Sequence, residues 1–292
     1  MKPDSIRSGS DVIQERSDSI RSESDVIQER SDYKNWVPKS MVIGLAGGTL
    51  AAFVLFLLFG ATGMILQGTP RMICAILFGA GTLVLLFYTC WMAALHRTFD
   101  YNGKRKLAKT IIDGTAKYVK LPEGGTGLDV GCGSGALTIA VAKRNPKAAM
   151  VGCDIWSGAY KAVFSKRRCE GNAKAEGVTN VRFTEGNAIR LPFPDESFDA
   201  VTSNYVYHNI AGHNKQQLLL ETLRVLKKGG SFAIHDLMSE ARYGDMNAFV
   251  KALKAQGYED VRLIDTADGA FMGKKEAKWL GLAGSALLVG KK

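Results

Sequence analysis

A glycine run and two aspartates carry the chemistry that this chain spells out most plainly. In Leu128-Asp129-Val130-Gly131-Cys132-Gly133-Ser134-Gly135 an apolar segment delivers a carboxylate, then glycines alternate with small residues, and a helical pattern begins at Ala136. That order reads as a strand, a tight loop and a helix N-terminus. Glycine lets the backbone approach a ligand closely, because it has no side chain and tolerates positive φ. Downstream, Met150-Val151-Gly152-Cys153-Asp154-Ile155 reads as a buried strand ending in a second carboxylate. It lies about 20 residues beyond the loop, where such a group accepts hydrogen bonds from both hydroxyls of a ribose. An aspartate capping the next helix is the other reading of Asp154.

Gly131-x-Gly133-x-x-Ala136 also satisfies the relaxed fingerprint of dinucleotide enzymes. Asp129 argues for a different ligand, since a dinucleotide site usually has an apolar residue there. S-adenosylmethionine (SAM) carries a sulfonium and an α-ammonium group and has no pyrophosphate, so a carboxylate beside the loop suits it. The pattern continues in Gly186-Asn187-Ala188, which follows a strand at Val181-Arg182-Phe183, and in Leu191-Pro192-Phe193-Pro194-Asp195 leading to a strand at Ala200-Val201-Thr202-Ser203. Leu223 to Ile234 then reads as a helix closed by Gly229-Gly230, a turn and a buried strand.

On these segments the chain from about Lys104 onward resembles the class I SAM-dependent methyltransferases, closest to the subgroup that includes the ubiquinone and menaquinone C-methyltransferases. The resemblance implies an α/β Rossmann-like fold with a seven-stranded, mostly parallel sheet, whose final antiparallel strand would be Ser285 to Gly290. It implies that Asp129, Gly131, Gly133 and Gly135 hold the methionine part of SAM, with Cys132 between them. It also implies that Asp154 holds the ribose and that Asn187 and Ala188 border the adenine. Ile155 and Asn204, at their strand ends, complete the cofactor candidates. Asn187 departs from the aspartate common in the family; its carbonyl can accept from the adenine amino group, and its amide can also donate.

The acceptor side follows from the strand at Ala200–Ser203, which aims Asn204 to Asn209 at the crevice beyond the carboxyl ends of the sheet. His208 is the candidate base, because histidine as a residue type titrates near physiological pH; a histidine that packs or caps is the bland alternative. Tyr205 and Tyr207 are further catalytic candidates. They alternate along the chain, so one lines the pocket while the other is core. His235 and Asp236 form a second candidate pair, but adjacent strand residues face opposite sides. The cysteines Cys74, Cys90, Cys132, Cys153 and Cys169 make no C-x-x-C pair, so neither a metal site nor a disulfide framework is expected, and Cys132 reads as small filler more readily than as a nucleophile.

Outside this domain, Ser5 to Asp18 recurs at Ser19 to Asp32 with Glu23 in place of Gly9. Ile6, Ile13, Ile20 and Ile27 keep a seven-residue spacing, but serine and mixed charge interrupt any seam, so residues 1–39 read as a disordered tail. Residues 40–95 read as a transmembrane hairpin, with spans near Val42–Leu66 and Met72–Leu95 joined by Gln67–Arg71. Residues 96–292 form the catalytic domain and carry the surplus behind the net charge of +10. Lys34 and Lys39 precede the first span, Arg97, Lys104, Arg105, Lys106 and Lys109 follow the second, and the connecting turn has only Arg71. The positive-inside rule therefore puts both termini and the domain in the cytoplasm. Trp36 and Trp91 fit the interface, Gly44-x-x-x-Gly48 permits close helix packing, and Lys104-Arg105-Lys106 suits anionic headgroups, whereas Lys166-Arg167-Arg168 reads as a solvated face. No nucleic-acid partner is expected, for want of a basic patch interleaved with aromatics. The reading is methyl transfer from SAM to a small, membrane-associated or amphiphilic acceptor. A soluble acceptor, or a SAM-binding scaffold without turnover, are the alternatives.

Overall fold

The chain folds around a sheet of order β3-β2-β1-β4-β5-β7-β6. The structure is a computed structural model that describes residues 30–157 and 164–292; most of the tandem repeat lies outside the described residues. The strands are β1 (Thr126–Val130), β2 (Ala149–Asp154), β3 (Val181–Glu185), β4 (Phe198–Asn204), β5 (Leu226–Leu237), β6 (Glu259–Asp265) and β7 (Ser285–Lys291). β1 pairs in parallel with β2 and β4, and β7 lies antiparallel between β5 and β6. β1 and β4 are neighbours whose chains lead away to opposite halves of the sheet, so a crevice opens beyond their carboxyl ends.

Alternation along each strand supplies two cores. Leu128, Val130, Val201, Phe232 and Ile234 face one side, and Met150, Ala200 and Ala233 the other. The first face packs on helices at Lys215–Arg224 and Met246–Ala255, and the second on the helix Ala136–Arg144. The expected helix through Leu223–Lys228 ends earlier, at Arg224, because the Val225 carbonyl accepts the amides of Ser197 and Phe198 and Leu226 already pairs with Phe198.

The hairpin consists of α1 (Lys39–Leu55), a π-helical turn at Phe56–Ala61, and α2 (Gly68–Phe99). Lys39–Ala61 and Gly68–Phe99 are apolar and long enough to cross a membrane, with hydropathies of 2.4 and 2.2 over their most apolar 18 residues, none of which is buried in the protein. The turn falls earlier than the expected Gln67–Arg71. Pro70 is accommodated in the first turn of α2, where its missing N–H costs nothing. Arg71 reaches back to the carbonyls of Gly60 and Ala61 (2.9 and 2.8 Å), so this cation caps the preceding helix. The Thr49 and Thr89 hydroxyls bond across the pair at 2.9 Å, while Gly48 faces Leu85 and a Cβ on Gly44 would touch nothing.

Residues 30–38, expected in the disordered tail, are packed against the domain instead. Tyr33 is buried and its hydroxyl donates to Glu176 (2.5 Å), the Asp32 amide donates to Asn172 (2.7 Å), and Arg168 pairs with Asp32 (2.7 Å). Arg168 thus departs from the solvated face expected of its cluster, and only Lys166 and Arg167 remain exposed. Arg105 is likewise not free for headgroups, since it grips both oxygens of Glu276 at 2.7 and 3.0 Å.

Candidate active site

The glycine loop is held by β2. The amides of Gly131 and Cys132 both donate to the Cys153 carbonyl, at 2.7 and 3.1 Å. Each glycine is required for a different reason, and each has positive φ. A Cβ on Gly131 would lie 2.3 Å from Val206, whereas one on Gly133 would meet nothing nearer than Phe164 at 4.0 Å, so Gly133 presents bare backbone to open space. Gly135 would press on Phe183 (3.1 Å) and Cys169 (3.3 Å). It packs helix against sheet and is not among the residues lining the cavity described below.

A cavity of about 660 Å³ opens over this loop, within the range of small-molecule sites. Asp129, Gly131, Cys132, Gly133, Asp154, Ile155, Asn187, Ala188 and Asn204 all line it, together with Tyr205 and His208. Asp129 is buried in mid-strand, where its carboxylate accepts from the hydroxyls of Thr138 (2.6 Å) and Thr202 (2.9 Å). Burial pushes its pKa up to about 7, and the two threonines only partly offset this. Asp154 accepts the amide of Gly133 on one oxygen and that of Trp156 on the other, both at 2.9 Å, so it ties the loop to the strand end. Each oxygen keeps a lone pair for a ribose hydroxyl. The Trp156 indole then donates to the Gly133 carbonyl (2.9 Å), a clasp with no periodic signal in the sequence.

Asn187 is less free than expected. Its side-chain carbonyl accepts the Ile189 amide at 2.9 Å in a local turn, which leaves its NH₂ as the freer group toward an adenine. The Cys132 thiol is pushed well above its ordinary pKa by burial first and by Cys169 and the neighbouring aspartates second, so it stays protonated and serves as filler.

On the acceptor side the tyrosines separate. Tyr205 adopts a left-handed φ of 54° and keeps its ring in the cavity wall, with its hydroxyl bonded to Ser285 (2.7 Å). Burial raises the pKa of that phenol, so it holds its proton. Tyr207 is a correction: it is fully buried, its hydroxyl meets Thr222 at 2.6 Å, and it takes no part in the cavity. The left-handed residue Tyr205 breaks the strand, and the 3₁₀ turn Tyr207–Asn209 that follows sends the Tyr207 ring into the core.

The pairing of histidines and aspartate crosses between elements. Asp236 is fully buried and accepts Nδ1 of His208 at 2.5 Å, with the amides of Tyr207 (2.8 Å) and Leu237 (2.7 Å). Burial alone would raise the pKa of Asp236, but the bonds from His208 and the backbone outweigh it and hold the carboxyl below its ordinary value. Asp236 accepts only, so His208 donates from Nδ1, and Nε2 has no hydrogen-bond partner among the described residues. His235 faces the other side, as alternation requires. Nδ1 donates to Asn204 (2.8 Å), Nε2 accepts from Thr266 (2.7 Å), and burial holds its pKa down to about 3. It is a neutral bracket that orients the Asn204 amide.

A glycine cradle under a strand-end carboxylate, at the switch point of a sheet in this order, defines a protein that binds a nucleoside-bearing cofactor in the manner of class I methyltransferases. Residues 128–234 match the family model described as a methyltransferase domain. The chain is 31% identical over 172 residues to a demethylmenaquinone methyltransferase of Geobacillus stearothermophilus, covering 55% of this chain and 70% of that protein. It is 32% identical over 134 residues to the Bacillus licheniformis protein of the same name, covering 45% of this chain and 53% of that one. The chain belongs to the SAM-dependent methyltransferase family. It spans about half the length of several curated relatives that it matches. Among solved structures, the [4+2]-cyclase SpnF aligns with a TM-score of 0.47 at 21% identity, covering 66% of this chain and 85% of that one.

Proposed function

We propose that the protein transfers a methyl group from SAM to a lipophilic, demethylated quinol held at a membrane surface, with the domain and both termini on the cytoplasmic side. The observation that carries this is one shared cavity, in which Gly133 and Asp154 meet an apolar wall and His208, itself bonded to Asp236. Asp129 lies where a carboxylate matches the α-ammonium of SAM, Asp154 matches a ribose, and the bare backbone at Gly133 leaves room for close approach. Bound SAM supplies an electrophilic methyl group on a sulfonium, which departs as a neutral thioether.

The residues of the chain supply alignment and a proton acceptor. Nε2 of His208 takes the proton of a ring hydroxyl, and the electron pair passes through the ring to the neighbouring carbon, which attacks the methyl group. Loss of the ring proton from that carbon to solvent restores the aromatic ring, and the His208 imidazolium returns its proton to the oxygen, so the methylated quinol forms with the release of one proton. Asp236 stabilises the imidazolium that forms, and the Asn204 amide, fixed by His235, borders the reacting centre. The relatives named demethylmenaquinone methyltransferase support the acceptor class. The test is a transfer assay with methyl-labelled SAM, full-length protein and cell extract, with Asp154→Ala alongside. Enzyme-dependent label in the organic phase is expected; label confined to the aqueous phase would overturn the lipophilic acceptor.

A further inference from the structure

The hairpin does more than tether the domain. Trp36, Val37 and Pro38, just before α1, line the same cavity as the glycine loop, as do Leu95 and Phe99 from the last turns of α2. Leu280 and Leu282, in the loop between the helix Lys274–Trp279 and β7, complete the apolar wall. The wall is anchored by bonds to both parts. Asn35 donates to the His96 carbonyl (2.6 Å), His96 Nδ1 meets the Val37 carbonyl (2.7 Å), and the Trp91 indole donates to the Trp279 carbonyl (3.1 Å). The Trp36 ring stands edge-on to Tyr205 with centroids 5.4 Å apart, so the wall reaches the catalytic residues.

Helix length fixes the height of this wall relative to a bilayer. Thr49 bonds Thr89, so Lys39, ten residues before Thr49, is level with Phe99, ten residues after Thr89. Lys39 to Ala61 is 23 residues, about 34 Å at 1.5 Å per residue. A hydrocarbon core of about 30 Å takes nearly all of it. α2, with 32 residues, is longer than that core, and its Trp91 bonds Trp279 of the domain, so the membrane surface falls between the levels of Trp91 and Phe99, the stretch of α2 where Leu95 and Phe99 line the cavity. Trp36 packs on Phe99 with ring centroids 5.3 Å apart, and Trp91, eight residues or about 12 Å earlier along α2, holds the exposed Trp279, so aromatic residues mark both edges of an interfacial layer.

We propose that the base of the hairpin is the acceptor's chain-binding subsite: the hydrocarbon tail of the quinol lies along Leu95, Phe99, Leu280 and Leu282 and enters directly from the bilayer, while its ring reaches His208. This rests on the acceptor class proposed above and assigns specificity for the tail to the hairpin itself. The test uses the full-length protein in phosphatidylcholine nanodiscs with a demethylated naphthoquinol whose isoprenoid chain carries a diazirine. Photolysis is expected to label residues 36–38, 95–99 and 280–282, and an unmodified tailed quinol is expected to compete. Leu282→Trp, which fills the wall, is expected to lower the ratio of kcat/KM for tailed over tail-less quinol at least about ten-fold, the scale of losing contact with a few methylene groups. Label confined to lipid-facing positions such as Leu77 and Phe87, or equal losses for both quinols, would overturn the subsite. Competed label at the wall without methylation of either quinol would leave the subsite standing and refute the acceptor class.

Discussion

Asp236→Asn tests the proposed base without touching the cofactor cradle. The buried carboxylate receives at least three donors, from His208 Nδ1 and the amides of Tyr207 and Leu237. Asparagine keeps the size but replaces one oxygen with a donor. If its carbonyl stays on the Tyr207 amide, at the oxygen that also accepts the His208 amide (3.2 Å), its NH₂ meets His208. The imidazole must then accept at Nδ1 and carry its proton on Nε2, where no second proton can be taken without forming an unsupported imidazolium. The loss expected is the full value of a positioned base, about 10²–10⁴-fold in kcat, together with about 3 kcal/mol of stability from a buried, hydrogen-bonded charge. Single-turnover transfer to the quinol at saturating SAM reads the rate, and SAM affinity by calorimetry is expected to change little. A variant that folds, binds SAM and keeps its rate within about three-fold would refute the role of His208 as base. The stability effect has a sign in pH. The folded carboxyl has a lowered pKa, so the stabilisation is present above the ordinary carboxyl range and is lost as pH falls through the folded value.

Three further outcomes follow from the site. Asp129 has its folded pKa raised to about 7, so folding favours its neutral form: that contribution is full at low pH and is lost as pH rises from 3.8 through 7. SAM affinity is accordingly expected to strengthen between about pH 6 and 8 as the carboxylate forms to meet the ammonium group, and calorimetry on Asp129→Asn should show weaker and flatter binding. Gly131→Ala places a Cβ 2.3 Å from Val206 at a φ of 71° and is expected to abolish SAM binding, with Val206→Ala relieving the clash but not the roughly 1–2 kcal/mol of backbone strain; thermal melts and SAM titration of the double variant check both parts. Tyr207→Phe orphans the buried Thr222 hydroxyl and is expected to cost about 1–2 kcal/mol in denaturant melts while leaving kcat unchanged, since the ring lies outside the cavity.

The elements and cofactor candidates were legible because they rest on local rules. Apolar strands ending in Asp129-Val130 and Asp154, glycines at positive φ and uncharged runs of membrane-spanning length follow from neighbours in the chain. Gly135 was legible as a loop glycine, but its packing against Phe183 and Cys169 was not, because those residues lie on other elements. The choice between Tyr205 and Tyr207 was visible as alternation but undecidable, because the left-handed turn at Tyr205 depends on its amide bonding the His235 carbonyl of β5.

The sequence by itself determined the class of protein: a glycine loop, its two carboxylates and the order of strands are properties of short segments. Only the tertiary structure joined His208 to Asp236 across 28 residues, raised the pKa of Asp129 by enclosing it, and brought Trp36, Phe99 and Leu282 to one wall of one cavity. Those are contacts between distant segments, whose strength depends on burial and relative placement, and no spacing along the chain encodes either.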